Sequence, residues 1–349
     1  EAGPMRDILD EVERWRESGE RVAIATVIQT WGSAPRPAGS AMALTAGGKI
    51  AGSVSAGCVE AAVVESGLRC LSTGRPERLH FGVTDETAWS VGLACGGTID
   101  LFVEPLHDEA LDAVRGAIGE GRSSAVATVV GGAEELLGRR LRVSDDGTAI
   151  GSLGEGLDAA VEAQAREALA AGAPRRLEAT PERPAEIFID ILQPPPRLIV
   201  VGGVHIAIPL VAIAKTLGYR TIVVDPREAF ANAERFPDVD QIVSAWPDRA
   251  LGEIGIDAST AVAVLTHDPK LDDPALAAAL RSKAFYVGAL GSRRTQEKRR
   301  QRLLEAGLDD EALSRLHAPI GLPIGGRSPG EIALSIMAQI VGARNKSAV

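Results

Sequence analysis

A chain of 349 residues, 45% hydrophobic and 24% charged, is long enough for two separate cores and has the balance of an ordinary globular protein. Its net charge of −10 excludes general nucleic-acid binding, which needs a basic surface. Three cysteines without regular spacing exclude a disulfide framework, a four-ligand zinc site and an iron–sulfur cluster. A reducing, cytoplasmic compartment is therefore expected, and the absence of a long apolar run or a signal-peptide pattern gives no reason to expect a membrane.

Glu1 to Pro4 read as a cloning remnant ahead of Met5, the natural start, and play no part in the expected fold. Arg6 to Glu17 has helical apolar spacing, and Arg21 to Thr30 is a Val/Ile/Thr-rich strand. Gly32 to Ser40 is a rigid Pro/Gly loop displaying Arg36. A hairpin around Gly47-Gly48 leads to Gly52-Ser-Val-Ser-Ala-Gly-Cys58, and a helix follows from Val59 to Leu71. Cys58 at that helix start is either an activated thiol, since helix N-termini lower a thiol's pKa, or a small buried residue closing the turn. Cys95, before Gly96-Gly97, sits at a second glycine-rich boundary, whereas Cys70 reads as core.

Further on, His80 to Val83 is expected as a strand, Thr84 to Val91 as a loop, and the segment to Glu104 as a strand. Asp108 to Glu120 is a helix, Ala125 to Val130 and Leu136 to Val143 are strands, Leu157 to Ala171 is a helix, and Glu186 to Leu192 is a strand of period two. Strands and helices mix without strict alternation and without an apparent internal repeat. Residues 5–193 are thus expected to form an α+β domain.

Pro194-Pro-Pro196 can continue neither helix nor sheet and is placed as the linker (194–196). Residues 197–349 alternate β and α regularly and are expected to form a Rossmann-like parallel sheet, making the whole an α/β chain. Arg197 to Asp225 is its first βαβ unit, with a glycine turn at Gly202-Gly203. Val204 stands where the dinucleotide fingerprint wants its second glycine. A short helix is expected over Glu228 to Ala233, strands over Gln241–Ser244, Ala261–Thr266 and Ala284–Val287, and a helix over Asp272–Lys283. Ser328, Pro329 and Glu331 form a capping box opening the last helix.

Ligands of open α/β sheets bind beyond the strands' carboxyl ends. The candidate cofactor-binding residues there are Gly202, Gly203, His205, Asp225, Arg227, His267, Asp268, Gly291, Ser292, Arg293 and Arg294. Asp225 has the spacing of a ribose-binding acid, and Arg293 and Arg294 could grip a phosphate. The rest of the basic run to Leu304 reads as a solvated face.

These motifs carry a family resemblance. Thr30-x-Gly-Ser-x-Pro-Arg36, Gly52 to Glu60 and Cys95-Gly-Gly97 resemble the N-terminal domain of xanthine dehydrogenase accessory proteins of the XdhC/CoxI type. Val224-Asp-Pro-Arg227, Arg235-Phe-Pro237, Thr266-His-Asp268, Tyr286 to Arg294, Pro319 to Leu322 and Pro329 to Ala333 resemble its C-terminal domain, in the same order. The family's Gly-Ala-Gly-His-Val-Ala appears here as Gly202-Gly-Val-His205-Ile-Ala207.

The resemblance implies an assembly factor, more a chaperone than a free-standing enzyme. It implies binding of the molybdenum cofactor (molybdopterin), help with its sulfuration by a cysteine desulfurase or sulfurtransferase, and delivery to a xanthine dehydrogenase-type molybdenum hydroxylase. Under it Cys58 and Cys95 become candidate reactive thiols or molybdenum contacts, and a homodimer is expected. The alternative is an NAD(P)-dependent oxidoreductase with His267 as proton donor. A xanthine dehydrogenase enzyme itself is excluded by the chain's length and its lack of iron–sulfur cysteines.

Overall fold

The computed structural model describes residues 4–33, 36–57, 59–82, 97–119, 123–178 and 185–345. The chain divides into two compact units, Glu1–Pro194 and Pro195–Val349.

Unit 1 is built from two antiparallel five-stranded sheets. The first contains Val22–Trp31 (β1), Ala41–Thr45 (β2), Ile50–Gly52 (β3), Glu77–Phe81 (β4) and Thr98–Pro105 (β5), with helix Glu60–Thr73 packed on it. The second contains Ser124–Gly132 (β6), Arg140–Ser144 (β7), Ala149–Gly151 (β8), Arg175–Leu177 (β9) and Ala185–Leu192 (β10), with helix Asp158–Ala171 packed on it. Their strand orders are β3-β2-β1-β5-β4 and β8-β7-β6-β10-β9. Helices Leu9–Glu17 and Asp108–Gly119 precede the two sheets in turn.

Unit 1 is therefore one βββαββ pattern used twice, a repeat that the sequence does not display. Register makes the equivalence residue by residue. Thr26 lies opposite Ala41 and Phe102, and Thr128 lies opposite Arg140 and Phe188. Ile24 lies opposite Glu104 as Val126 lies opposite Asp190. Both copies enter their second strand through a left-handed glycine, Gly39 (φ +90°) and Gly138 (φ +80°). Side chains at matched positions are mostly alike, as in Ala23 and Ala125, Thr26 and Thr128, Phe102 and Phe188, and Arg78 and Arg176, because each copy buries the same alternating face.

Between the two sheets, Ile28, Phe102, Val130 and Phe188 form a buried cluster. To one side lies a tetrad of charges: Arg78 meets Asp100 (3.0 Å) and Glu186 (2.7 Å), and Arg176 meets the same two carboxylates at 3.2 and 2.6 Å. Arg78 and Arg176 occupy matched positions, opposite Phe102 and Phe188.

Unit 2 is a six-stranded parallel sheet: Arg197–Val201 (β11), Arg220–Val224 (β12), Gln241–Val243 (β13), Thr260–Val264 (β14), Tyr286–Ala289 (β15) and Leu316–His317 (β16), in the order β13-β12-β11-β14-β15-β16. Leu198 and Val200 point to a core shared with Ala207–Thr216 and Pro329–Arg344, while Ile199 and Val201 point to one shared with Pro247–Ile254 and Pro269–Arg281. Burial on both faces explains the unbroken apolar strands of the sequence. The expected capping box forms at Ser328 and Glu331.

Several local expectations change. The strand expected over Leu136 to Val143 starts only at Arg140, after a 3-10 turn at Glu134–Leu136. Glu228 to Ala233 is a series of turns, not a helix: the Asn232 side-chain amide donates to the Glu228 and Ala229 carbonyls and so competes with helical pairing. The helix expected from Asp272 starts at Pro269, with Asp268 as its cap. Pro247–Ile254 and the two-residue strand β16 are additional elements too short for a clear periodic signal.

Candidate functional site

The strand order of unit 2 reverses between β11 and β14, which opens a crevice at their carboxyl ends. The two sides of that crevice differ in how their polar groups are satisfied.

At the β11 side the chain turns at Gly202 (φ +105°), where a Cβ would strike the Thr266 side chain. Gly203 N–H donates to Asp225 Oδ2 at 2.9 Å. Asp225 is buried and also accepts from Arg227: the Nε–H at 2.8 Å, an Nη2–H at 2.7 Å and the backbone N–H at 3.0 Å. Burial works against its charge, but the Arg227 bonds win and hold the carboxyl below the usual range. Arg227 stacks 4.0 Å over the Phe230 ring. Arg235 donates to the carbonyls of Gly203 (2.7 Å) and Phe230 (2.9 Å). A Cβ on Gly203 would collide with the Phe230 carbonyl, so the 227–235 segment lies directly on the turn. Val204 packs onto the apolar core. This turn is closed by its own chain, and the carboxylate that would hold a ribose is already used.

At the β14 and β15 ends the groups remain open. A cleft of about 270 Å³ is lined by His267, Pro269, Asp272, Arg294, Thr295, Lys298, Arg299 and Arg302. Helices Pro269–Arg281 and Arg293–Glu305 both start at it, capped by Asp268 (from Lys270 N–H, 3.0 Å) and Ser292 (from Thr295 N–H, 3.2 Å). Such starts favour anions. His267 adopts φ +67°, rare for a side chain of its size. The turn is braced by Thr266, whose hydroxyl accepts from Asp268 N–H (3.1 Å) and donates to Asp272 (2.5 Å).

Beneath the cleft lies a buried ion pair, Arg299 Nη2 to Asp272 Oδ2 at 2.7 Å. Arg299 also donates to the Leu290 carbonyl (3.1 Å), while its Nε has no hydrogen-bond partner. Arg302 is neutralised by Asp273, but Arg294 and Lys298 have no acidic partner among the described residues. The cleft thus presents two uncompensated cations, a histidine and two helix starts. Its chemistry is that of an anion receptor.

Of the residues anticipated for this region, the structure gathers His267 and Arg294 in the cleft, with Asp268 and Ser292 as helix caps beside it. Gly291 turns the chain into the second helix at φ +140°. Arg293 and His205 are exposed and outside the lining. Gly202, Gly203, Asp225 and Arg227 belong to the closed turn. Lys298, Arg299 and Arg302 were expected on a solvated face; instead Arg299 is buried and all three border the cleft. Their i, i+1 and i+4 spacing from Lys298 was the only available signal, on a helix basic all round.

Cys58 and Cys95 lie outside the described residues. Cys70 is buried in the core of the first sheet, as expected. The loop before Cys58 is held by Glu60, which accepts from Ser53 Oγ (2.8 Å), Ser55 N–H (2.9 Å), Gly57 N–H (2.9 Å) and the Ser55 hydroxyl. Burial opposes these bonds, yet they hold the Glu60 carboxyl at about 2. Among the described residues, no helix is long and apolar enough to cross a membrane.

Comparison with known proteins places these features in context. Residues 198–340 match the XdhC Rossmann domain, and residues 15–82 and 117–179 match the XdhC and CoxI family. A Bacillus subtilis (strain 168) protein, named for a probable role as one of the subunits of xanthine dehydrogenase, is 30% identical over 340 residues, covering 95% of this chain and 96% of its own. The Escherichia coli (strain K12) molybdenum cofactor insertion chaperone PaoD is 27% identical over 328 residues, covering 94% and 85%. A crystal structure from Bacillus halodurans described as a xanthine dehydrogenase superposes with a TM-score of 0.79 at 25% identity, covering 97% and 96%.

Proposed function

From the premise that this chain belongs to the XdhC and CoxI family, we propose that it is an accessory protein that binds the molybdenum cofactor and assists its insertion into a xanthine dehydrogenase-type molybdenum hydroxylase. The supporting observation is the cleft at the β14 and β15 ends, where Arg294 and Lys298 stand uncompensated at the start of a helix. The pterin cofactor ends in a phosphate, or in a pyrophosphate-linked nucleotide. An anion of that kind fits two free cations, a bordering Nε–H of Arg299 without a partner, and the helix dipoles. At about 270 Å³ the cleft is near the lower limit of small-molecule pockets, roughly 300 Å³. It suits the phosphate end of the cofactor, leaving the metal end to lie beyond it.

In this reading His267, Arg294, Lys298 and Arg299 hold the anion, Asp268, Gly291 and Ser292 shape the turns, and Arg293 adds charge at the rim. Gly202, Gly203, Asp225 and Arg227 position the neighbouring wall, with His205 exposed beside it. Cys58 and Cys95 are kept as the proposed reactive thiols or molybdenum contacts, supplied with sulfur by a cysteine desulfurase or sulfurtransferase, in a cytoplasmic homodimer. The kinship with a protein named as an insertion chaperone supports the same role. An NAD(P) oxidoreductase is disfavoured because the Phe230 carbonyl covers Gly203 and Asp225 is already engaged.

The test is purification from a molybdate-replete host with the client hydroxylase present, followed by molybdenum and oxidised-pterin analysis. The wild-type chain should carry both, and Arg294→Ala/Lys298→Ala should lose at least tenfold of each. Equal loading of wild type and variant would overturn the assignment of the cleft. Absence of pterin and molybdenum from the wild type would overturn the function.

A further inference from the structure

The repeat in unit 1 breaks at a charge pair. Glu104 on β5 and Asp190 on β10 occupy matched positions and both face the space between the sheets. Each is approached by the matched glycine of the other sheet: a Cβ on Gly138 would lie 3.2 Å from a Glu104 oxygen, and one on Gly39 would lie 2.8 Å from an Asp190 oxygen. Across the gap Glu104 meets Arg140, the first residue of β7. The residue matched to Arg140 is Ala41, the first residue of β2. Among the described residues Asp190 accordingly has no cation and accepts a single hydrogen bond, from the N–H of Ile191 at 2.9 Å.

Beside Asp190 lies a cavity of about 70 Å³ bordered by Ala41, Phe102, Phe188, Thr26 and Thr128, with the Glu104–Arg140 pair also on its wall. A site needs only roughly 10–15 Å³ by this kind of measure for one water, so there is room for a molecule of several heavy atoms. The rest of the wall is mostly apolar, with two matched threonine hydroxyls, and the charge of Arg140 is already matched by Glu104. Asp190 is half-buried, and a carboxylate held out of bulk water without a partner is costly; protonation or a cation relieves it. Burial does push the Asp190 carboxyl up, to about 6, so near neutral pH protonation relieves it only in part.

We propose that the cavity between the two sheets of unit 1 binds a small organic cation, a protonated amine or guanidinium on a short apolar stem. Its charge pairs with Asp190 as Arg140 pairs with Glu104, and its stem lies against Phe102 and Phe188. The site is separate from the anion cleft of unit 2 and does not depend on the function proposed for it.

The probe is n-butylammonium, titrated at pH 7.5 into the full chain with labelled Ile and Met methyl groups. Met5, Ile24 and Ile28 line the cavity and report on it. These methyls should shift saturably, with at least tenfold weaker binding for n-butanol and butyrate. Asp190→Asn keeps the shape, removes the charge, and should weaken n-butylammonium at least tenfold. Ala41→Arg should block it by restoring the arginine of the other copy; if that variant does not fold, Asp190→Asn decides. The proposal is overturned by any of three results: no saturable shift at these methyls, n-butanol binding as tightly as n-butylammonium, or Asp190→Asn binding within twofold of wild type.

Discussion

The two sides of the crevice in unit 2 begin from similar materials, a glycine turn or strand end, an acid and several arginines, and end in opposite states. At β11 every strong group is consumed internally: Asp225 takes Gly203 and Arg227, and Arg235 takes the carbonyls of Gly203 and Phe230. At β14 and β15 the acids also find arginines, Asp272 with Arg299 and Asp273 with Arg302, but Arg294 and Lys298 are left over at a helix start. The lesson is that a Rossmann turn is not by itself a binding site. What makes one is charge that the fold has positioned and left unmatched.

The sharpest test of this contrast is at the floor of the open side. Arg299→Ala strands Asp272 as a buried, unpaired charge and should cost about 3–5 kcal/mol. Urea unfolding of the variant measures it, and a loss under about 1 kcal/mol would mean that the pair does not hold the cleft together.

Unit 1 offers the same contrast between a matched and an unmatched acid. Asp190 has its carboxyl raised to about 6, above its unfolded value. A raised acid favours the fold in its protonated form, so stability falls as pH rises from the unfolded value through about 6. Asp190→Asn should remove that slope and stabilise the chain at pH 7.5 by up to about 3 kcal/mol. Unchanged melting profiles between pH 4.5 and 7.5 would contradict it.

On the closed side, Asp225→Ala frees Gly203 N–H and Arg227, and should cost about 2–3 kcal/mol. The sign of its pH dependence is opposite. A lowered carboxyl contributes stability above its unfolded value and loses it as pH falls through the folded one, so the variant should lack this acid-side step. Acid titration followed by circular dichroism compares the two.

The smallest stability change belongs to the open rim. Arg294→Ala and Lys298→Ala break no ion pair among the described residues and should stay within about 0.5 kcal/mol of wild type, while losing cofactor. A large stability loss would mark these cations as structural.

Much of unit 2 was legible in the sequence, because strands buried on both faces must be continuously apolar and turns between them must carry glycine or caps. His267 and Arg294 could be named from their position after strands. Arg299 could not: on a helix carrying six basic residues, the one turned inward is chosen by what lies beneath, and Asp272 is contributed by another helix. The partners of Asp225 were hidden for a related reason. Its spacing fits a ribose acid, but Arg227 and the turns over 228–233, where a helix was expected, close over it.

The sequence by itself determined the family and the parallel sheet, since these follow from local pattern and from motifs contiguous in the chain. Tertiary structure decided the duplication of unit 1, the partnerless Asp190 and which arginines remain free. These depend on cross-sheet register and helix rotation, which bring together residues tens of positions apart in the chain.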